Sequence, residues 1–217
     1  MIKDFIRLEG DVISITAHDG NLYCLTYYAN SLSDVIHVFD TNGEPMTMSI
    51  WRHPKALPYW GSRTTVINGS QFAVGDWASK QIIIYSLTGN IIKEVLCHST
   101  LTSKSRVTMT NCGKNSVVIS ERKASTVTKI NMDDGKVMWS VKIDSKPCGM
   151  VLCNARHLPV AHYSSFKADL SILDTESGKF DKQNSQIQIG HLVSSGAKLP
   201  SHQFTVSTNQ RIVLLTE

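Results

Sequence analysis

The sequence lacks the long apolar runs and the leader pattern that mark membrane and secreted proteins. No apolar stretch approaches the roughly 20 residues that a transmembrane helix needs. The N-terminal segment MIKDFIRLEGD contains no continuous apolar run followed by small residues, which disfavours a secretory signal peptide. We therefore expect a cytoplasmic protein that does not contact a membrane.

Cysteine is scarce, and its spacing suits neither disulfides nor zinc. The five cysteines are Cys24, Cys97, Cys112, Cys148 and Cys153. Their number is odd, they are scattered through strand-like segments, and no Cys-x-x-Cys pair occurs, whereas a structural zinc site needs four closely spaced ligands. The pattern predicts reduced, buried thiols and gives no indication of a metal or cofactor.

Charge is also sparse. Charged residues make up 18% of the chain and hydrophobic residues 41%, a balance typical of a folded core rather than a disordered chain. The formal net charge is only +4. A charge this small does not by itself indicate nucleic-acid binding, so such a function depends on where the cations cluster.

A glycine-containing turn recurs along the chain. Gly43, Gly89, Gly135 and Gly178 each follow a small polar residue between two strand-like runs, at spacings of 46, 46 and 43 residues. Glycine allows the positive φ that a tight hairpin turn requires. The recurrence indicates four copies of one hairpin.

Each hairpin is preceded by a second pair of short apolar runs, so that one unit contains four strands, A to D. Helical periodicity is nearly absent. Four short strands every 43 to 46 residues are typical of a β-propeller blade, whereas a β-sandwich has no reason to repeat one turn at a fixed period. The sequence therefore predicts an all-β protein, a β-propeller of four-stranded antiparallel blades.

The repeat divides one predicted domain, residues 1–217, into about four complete blades and a partial fifth. The complete blades are predicted at about residues 12–50, 64–96, 106–143 and 149–189, and the partial blade, with two strands, at 203–217. The N-terminal KDFIRLE is a candidate outer strand for the last blade. We expect an incomplete ring or part of a larger propeller, with an open blade edge that would favour self-association.

The hairpins VIHVFDTNGE, QIIIYSLTGN and VTKINMDDGK, with blades entered near Pro54, Ser105 and Pro147, resemble NHL-repeat propellers, including those at the C-termini of tripartite-motif proteins. DDGKVMW and NGEPMTMSIW equally resemble quinoprotein and outer-membrane-assembly propellers, in which a Trp follows a Gly. WD40 repeats match less well, because no unit ends in Trp-Asp at the expected place. The NHL resemblance implies a platform that binds protein or RNA, and the ligase domains of tripartite-motif proteins are not in this chain.

Antiparallel strand order predicts two differently charged rims. The A–B and C–D turns lie at one end of each blade, and the B–C turns and D–A loops lie at the other. The first end, the acidic rim, carries Asp19, Asp40, Glu44, Asp133, Asp134, Asp174 and Glu176 against Lys114, Lys136 and Lys179. The second end, the basic rim, carries ten Lys and Arg residues against Asp34, Asp144 and few other acids. We expect the basic rim to face an anionic partner surface.

The basic rim also contains aromatic residues, and we predict that it binds a partner. Its predicted binding residues are Tyr59, Trp60, Arg63, Trp77, Lys80, Lys104, Arg106, Arg122 and Lys123. Cations beside exposed rings suit a protein partner, our first hypothesis, and also the phosphates and bases of single-stranded RNA, our second. The alternative is that Trp60 and Trp77 are buried between blades and that the lysines are a solvated surface.

Catalytic motifs are incomplete or missing. Ser-x-x-Lys begins at Ser120, Ser164 and Ser195, but the SDN and KTG motifs of serine acylases do not accompany it. The GxSxG, GxxxxGK[ST] and HExxH patterns do not occur. His18, at the end of strand A of the first blade, leaves a metal-dependent propeller hydrolase or lactonase as a third hypothesis. We predict that the protein is not an enzyme and has no catalytic or metal-binding residues.

Overall fold

The computed structural model describes residues 11–27, 35–40, 51–52, 64–67, 69–76, 79–97, 107–150, 156–164, 167–180, 187–189, 193–199, 203–208 and 212–216. All regular structure in these ranges is β-strand, and every strand pair is antiparallel. The prediction of an all-β fold is confirmed. No described segment forms a helix that is long and apolar enough to cross a membrane.

The strands form five sheets in chain order. The first sheet contains β1 (Asp11–His18), β2 (Asn21–Tyr27), β3 (Val35–Asp40) and β4 (Trp51–Arg52). The second contains β5 (Thr64–Ile67), β6 (Gln71–Asp76), β7 (Gln81–Ser86) and β8 (Ile91–Leu96). The third contains β9 (Val107–Asn111), β10 (Ser116–Glu121), β11 (Thr126–Asn131) and β12 (Val137–Lys142). The fourth contains β13 (Lys146–Met150), β14 (His157–Ser164), β15 (Lys167–Asp174) and β16 (Ile187–Ile189).

The fifth sheet has three described strands, β17 (Val193–Leu199), β18 (Gln203–Thr208) and β19 (Ile212–Thr216). It therefore begins ten residues before the partial blade expected from residue 203, and it has one strand more than expected. The additional strand, VSSGAKL, is mostly small and polar. It lacks the apolar alternation by which a half-buried strand is recognised in a sequence.

The core lies between successive sheets rather than within one central layer. Tyr23, Leu25 and Ile36 of the first sheet pack against Phe72 and Tyr85 of the second. Corresponding clusters join the second sheet to the third and the third to the fourth. Sheets buried on both faces explain why all six residues of β10 are buried.

The innermost strands contact one another in chain order, from β1 through β5, β9 and β13 to β17. Between the described strands of the last and first sheets there is no closing contact of similar extent. The observed order is therefore that of propeller blades arranged around an axis, without a closed ring in the described part of the chain.

Candidate functional site

Three of the nine predicted binding residues lie in the described structure, all in B–C turns of the basic rim. Lys80 ends the turn between β6 and β7, where it adopts a φ of +56°. Arg122 and Lys123 begin the turn between β10 and β11. The other six lie outside the described residues: Tyr59, Trp60, Arg63, Trp77, Lys104 and Arg106.

The two B–C turns are held by backbone hydrogen bonds to the ends of the outer strands. The amide of Cys97, after β8, donates to the Lys80 carbonyl at 2.8 Å. The amide of Ile143, after β12, donates to the Ser125 carbonyl at 2.8 Å. These bonds extend the sheet beyond its regular strands and fix the turns that carry Lys80, Arg122 and Lys123.

Exposed charge at the basic rim is mainly positive among the side chains that the structure describes. Lys80, Lys123, Lys142 and Lys146 are exposed, and Asp144 is the exposed acid among them. Arg122 is only partly exposed. The described part of this rim thus offers ammonium groups on short, hydrogen-bonded turns and on strand ends.

Three buried polar side chains, Asp76, Glu121 and His162, lie at corresponding places beneath this rim. They are 4%, 2% and 8% exposed, respectively. In each blade, two apolar residues of strand B pack against the preceding sheet. The buried polar residue lies two positions after the second of them. These pairs are Phe72 and Val74, Val117 and Ile119, and Leu158 and Val160. Since side chains alternate along a strand, the polar group continues the same buried face.

Asp76 and His162 each hold a neighbouring loop. The two carboxylate oxygens of Asp76 accept hydrogen bonds from the Ser79 amide, at 3.3 Å, and from the Ser79 hydroxyl. The His162 ring bonds the Ser145 hydroxyl through Nδ1 and the Ser171 hydroxyl through Nε2, the latter at 2.7 Å. Because Ser79 is in a B–C turn and Ser145 in a D–A loop, these buried groups position both kinds of loop at the basic rim.

None of Asp76, Glu121 and His162 is among the binding residues predicted from the sequence. The sequence nevertheless contains a pattern that marks them. Every second residue of strand B lies on the buried face, and each of these polar residues follows two apolar residues on that face. A polar residue at such a position is costly to bury unless hydrogen bonds satisfy it. Such a residue recurs in three consecutive blades, and in two of them, at Asp76 and His162, it is hydrogen-bonded to a serine of a loop.

On the acidic rim, several of the predicted acids pair with cations. Lys93 lies 3.6 Å from Asp133, and Lys136 lies 3.0 Å from Asp134. Arg156, which was absent from the predicted set, lies 3.2 Å from Asp174. These exposed pairs offset part of the negative charge at this rim, although each contributes little to stability. Glu44 lies outside the described residues.

Asp174 organises the C–D turn of the fourth sheet. Its Oδ1 accepts hydrogen bonds from the amide and hydroxyl of Ser177, both at 2.8 Å, and from the Glu176 amide at 3.2 Å. The Ser177 hydrogen bonds and the Arg156 guanidinium lower the pKa of Asp174 to about 2. Such bonds favour the charged form of the carboxyl, so the turn is held by an ionised acceptor.

This turn docks onto the third sheet through one buried carbonyl group. The Thr175 carbonyl oxygen accepts hydrogen bonds from Lys129 Nζ on β11 and from Trp139 Nε1 on β12, both at 3.0 Å. Lys129 is 9% exposed and Thr175 is 1% exposed. Gly178 lies so close to the indole that an added Cβ would be 2.7 Å from Trp139 Cδ2. Trp139 of the third blade therefore packs against the turn glycine of the fourth blade and joins the two sheets.

Histidine and cysteine contacts bear on the metal-dependent hypothesis. The Nε2 atom of His18 lies 2.9 Å from the Gly69 carbonyl oxygen, so this ring nitrogen contacts a protein acceptor. Within the described ranges, no three His, Cys, Asp or Glu side chains form a group able to hold a metal ion.

Cys24, Cys97 and Cys112 are buried free thiols. Burial raises the pKa of all three, for Cys97 to about 12, which keeps them unreactive.

Searches with protein-family models and against curated proteins find no match to the chain. Solved structures do match. A protein of unknown function from Bacteroides caccae aligns with a TM-score of 0.64 and 14% identity over 95% of this chain and 78% of that chain. BamB from Moraxella catarrhalis aligns with a TM-score of 0.58 and 13% identity over 96% of this chain and 62% of that chain.

Virginiamycin B lyase from Staphylococcus aureus aligns with a TM-score of 0.58 and 15% identity, over 94% of this chain and 69% of that chain. BamB and the lyase are β-propeller-type proteins. At these identities the similarity concerns the fold and does not extend to activity. Together with the sheets described above, it shows that the chain has a β-propeller fold.

Proposed function

We propose that this β-propeller is a non-catalytic scaffold that binds a protein partner through its basic rim. The proposal is supported by the exposed lysines on short, hydrogen-bonded turns and on strand ends of that rim. Lys80 and Lys123 lie on such turns in successive blades. Protein interfaces use such charges for orientation and rapid association. An acidic surface on the partner would complement them.

Buried acids beneath the rim favour a protein partner over RNA. Asp76 and Glu121 lie at the same ends of the blades as Lys80 and Lys123. Their carboxylates lower the positive potential that a polyanion would meet over these turns. RNA affinity depends on neutralising several phosphates in a row, so this arrangement weakens RNA more than a partner that forms a few ion pairs.

The finer parts of the proposal come from the sequence. We include Tyr59, Trp60 and Trp77 as aromatic contacts, with Arg63, Lys104 and Arg106 as further cations. An NHL-like propeller, as in tripartite-motif proteins, is the relationship that best fits such a platform. We place the protein in the cytoplasm, where the free thiols of Cys24, Cys97 and Cys112 would remain reduced.

The test compares two charge reversals in the third blade. The rim variant is Arg122→Glu with Lys123→Glu, and the control is Lys114→Glu with Lys136→Glu, which makes the same change of charge at the opposite rim. Immobilised wild type, rim variant and control are each incubated with cell extract, and captured proteins are quantified. We expect at least one protein to be retained by wild type and control and lost from the rim variant. Equal capture by all three would contradict the proposal.

A mixed single-stranded RNA pool, titrated at two salt concentrations, distinguishes the second candidate. A protein platform predicts no tight RNA binding by the folded wild type. Tight, salt-sensitive RNA binding that is lost in the rim variant and kept in the control would replace the protein partner with RNA as the ligand.

A further inference from the structure

A groove at the outer edge of the molecule lies between the third and fourth sheets, away from the basic rim. Its volume is about 470 Å³, within the usual range for small-molecule and peptide side-chain sites. One wall is the outer strand β12, and the other is the segment that follows Asp174. The lining residues are Trp139, Ser140, Val141, Ser177, Gly178, Lys179 and Phe180.

The aromatic wall of this groove is fixed before any ligand arrives. Trp139 Nε1 donates to the Thr175 carbonyl at 3.0 Å, and the indole lies against Gly178. Thr175 and Gly178 belong to the turn that Asp174 holds through four hydrogen bonds. A ring held in this way loses little conformational freedom when a ligand contacts it, which favours binding.

The opposite wall presents an exposed ring and a cation. Phe180 is 38% exposed, so part of its ring is open to a ligand in the groove. Lys179 is exposed and is the charged residue among those that line the groove. Within the described residues its ammonium group forms no ion pair, whereas Lys136, at the corresponding place after the preceding turn, pairs with Asp134.

Two aromatic rings beside one cation select a ligand that is both apolar and anionic. We propose that this groove binds the C-terminal residue of a peptide, with an aromatic or aliphatic side chain between Trp139 and Phe180 and the terminal carboxylate at Lys179. A cationic ligand would be repelled by Lys179. A polyphosphate would need several cations, and this groove supplies one.

The edge strand β12 suits the rest of such a peptide. It is the outermost strand of the third sheet in the described structure, so one edge of its backbone faces away from β11. An extended chain that enters the groove can add its main-chain hydrogen bonds to this edge, while the terminal side chain and carboxylate give specificity.

The experiment uses a matched pair of probes, the peptide acetyl-Gly-Gly-Leu-Phe with a free C-terminal carboxylate and the same peptide as its C-terminal amide. Binding is followed by the NMR shift of the Trp139 indole N–H, which is identified by its loss in Trp139→Phe. We expect a saturable shift and an affinity about threefold to fivefold higher for the acid than for the amide, the gain typical of one partly exposed ion pair. N-acetyl-phenylalanine should bind more weakly than the peptide acid, since it cannot pair with β12.

Two variants and one control complete the test. Lys179→Gln should bring the ratio of acid to amide affinity close to one, and Phe180→Ala should weaken both probes. Lys136→Gln, the equivalent change one blade earlier, should keep the wild-type ratio. No saturable shift of the Trp139 indole at millimolar peptide, or equal affinity of wild type for acid and amide, would overturn the proposal. N-acetyl-phenylalanine binding as tightly as the peptide acid would overturn the peptide assignment.

Discussion

At the scale of single residues, the turn glycines have two independent constraints. Gly178 has a φ of +68°, a conformation that side chains rarely adopt. It also packs against the Trp139 indole of the preceding sheet, and Gly135 likewise has no room for a Cβ beside the Leu96 carbonyl oxygen. A non-glycine residue at these positions would therefore face both backbone strain and a steric clash with the neighbouring sheet.

Gly178→Ala separates these two contributions when it is compared with Gly69→Ala. Gly69 has nearly the same φ, +65°, but the nearest atoms to an added Cβ are those of the His18 ring at 3.6 Å. We expect Gly69→Ala to lower the free energy of unfolding by about 1 kcal/mol, from backbone strain. Gly178→Ala should lower it by about 2–4 kcal/mol, because the Trp139 clash is added. Urea denaturation measures both values, and equal losses would show that the contact with Trp139 imposes no constraint.

Sequence patterns predict these glycines in part. The period of 43 to 46 residues and the small polar residue before each glycine indicate a turn with positive φ, and Gly89, Gly135 and Gly178 have it, at +90°, +72° and +68°. The close packing of Gly135 and Gly178 against the preceding sheet is not visible in the sequence. That constraint arises from contact between residues about 40 positions apart, and no local pattern records which strand lies opposite a turn.

At the scale of structural elements, the third and fourth sheets are joined by a shared acceptor. The Thr175 carbonyl receives one hydrogen bond from a buried ammonium on β11 and one from an indole on β12. A buried carbonyl accepts two such bonds without strain, since it has two lone pairs. The turn of the fourth blade is thus fixed by two strands of the third, and we expect the two donors to be energetically coupled.

Lys129→Met and Trp139→Phe test this coupling, because each removes one donor and keeps most of the apolar volume. Each single variant should lower the free energy of unfolding by about 1–2 kcal/mol, because the carbonyl keeps its other donor. The double variant should lose about 1–3 kcal/mol more than the sum, because the buried carbonyl then lacks both donors. Urea denaturation of the four proteins gives the interaction energy. Strict additivity would mean that the two hydrogen bonds are independent.

The strands themselves are largely predictable, whereas the polar residues at their ends are less so. Alternation and turn residues predict most strands of the first four blades to within a few residues. The first blade was expected to end at residue 50, and its last strand is Trp51–Arg52. The strand Val193–Leu199 is missed because small and polar residues carry no such pattern. Asp76, Glu121 and His162 are missed for the opposite reason, since charged and polar residues at strand ends normally indicate exposure. Their burial follows from the sheet that covers them.

At the scale of the whole molecule, stability is distributed along a row of sheets. Each described apolar cluster joins two successive sheets, and the innermost strands contact their neighbours in chain order. Such an arrangement resembles repeat proteins, in which the stability of each unit depends on its own folding and on its interfaces with adjacent units. The charge of each rim, in contrast, is a property of all blades together. The sequence predicts only the number of charged residues of each sign at a rim. The ion pairs that neutralise some of these charges depend on the fold.

Ile36→Ala and Leu158→Ala test this distribution at two separate interfaces of the row. Ile36 is fully buried between the first and second sheets, and Leu158 is fully buried between the third and fourth. Each substitution should cost about 2–5 kcal/mol through lost burial and the resulting cavity. Since the two clusters share no sheet, we expect native-state hydrogen exchange to quicken in β2, β3, β6 and β7 for Ile36→Ala, and in β10, β11, β14 and β15 for Leu158→Ala. Uniform acceleration throughout the described strands in both variants would instead indicate that all the sheets unfold as one cooperative unit, as a closed ring with strongly coupled blades would.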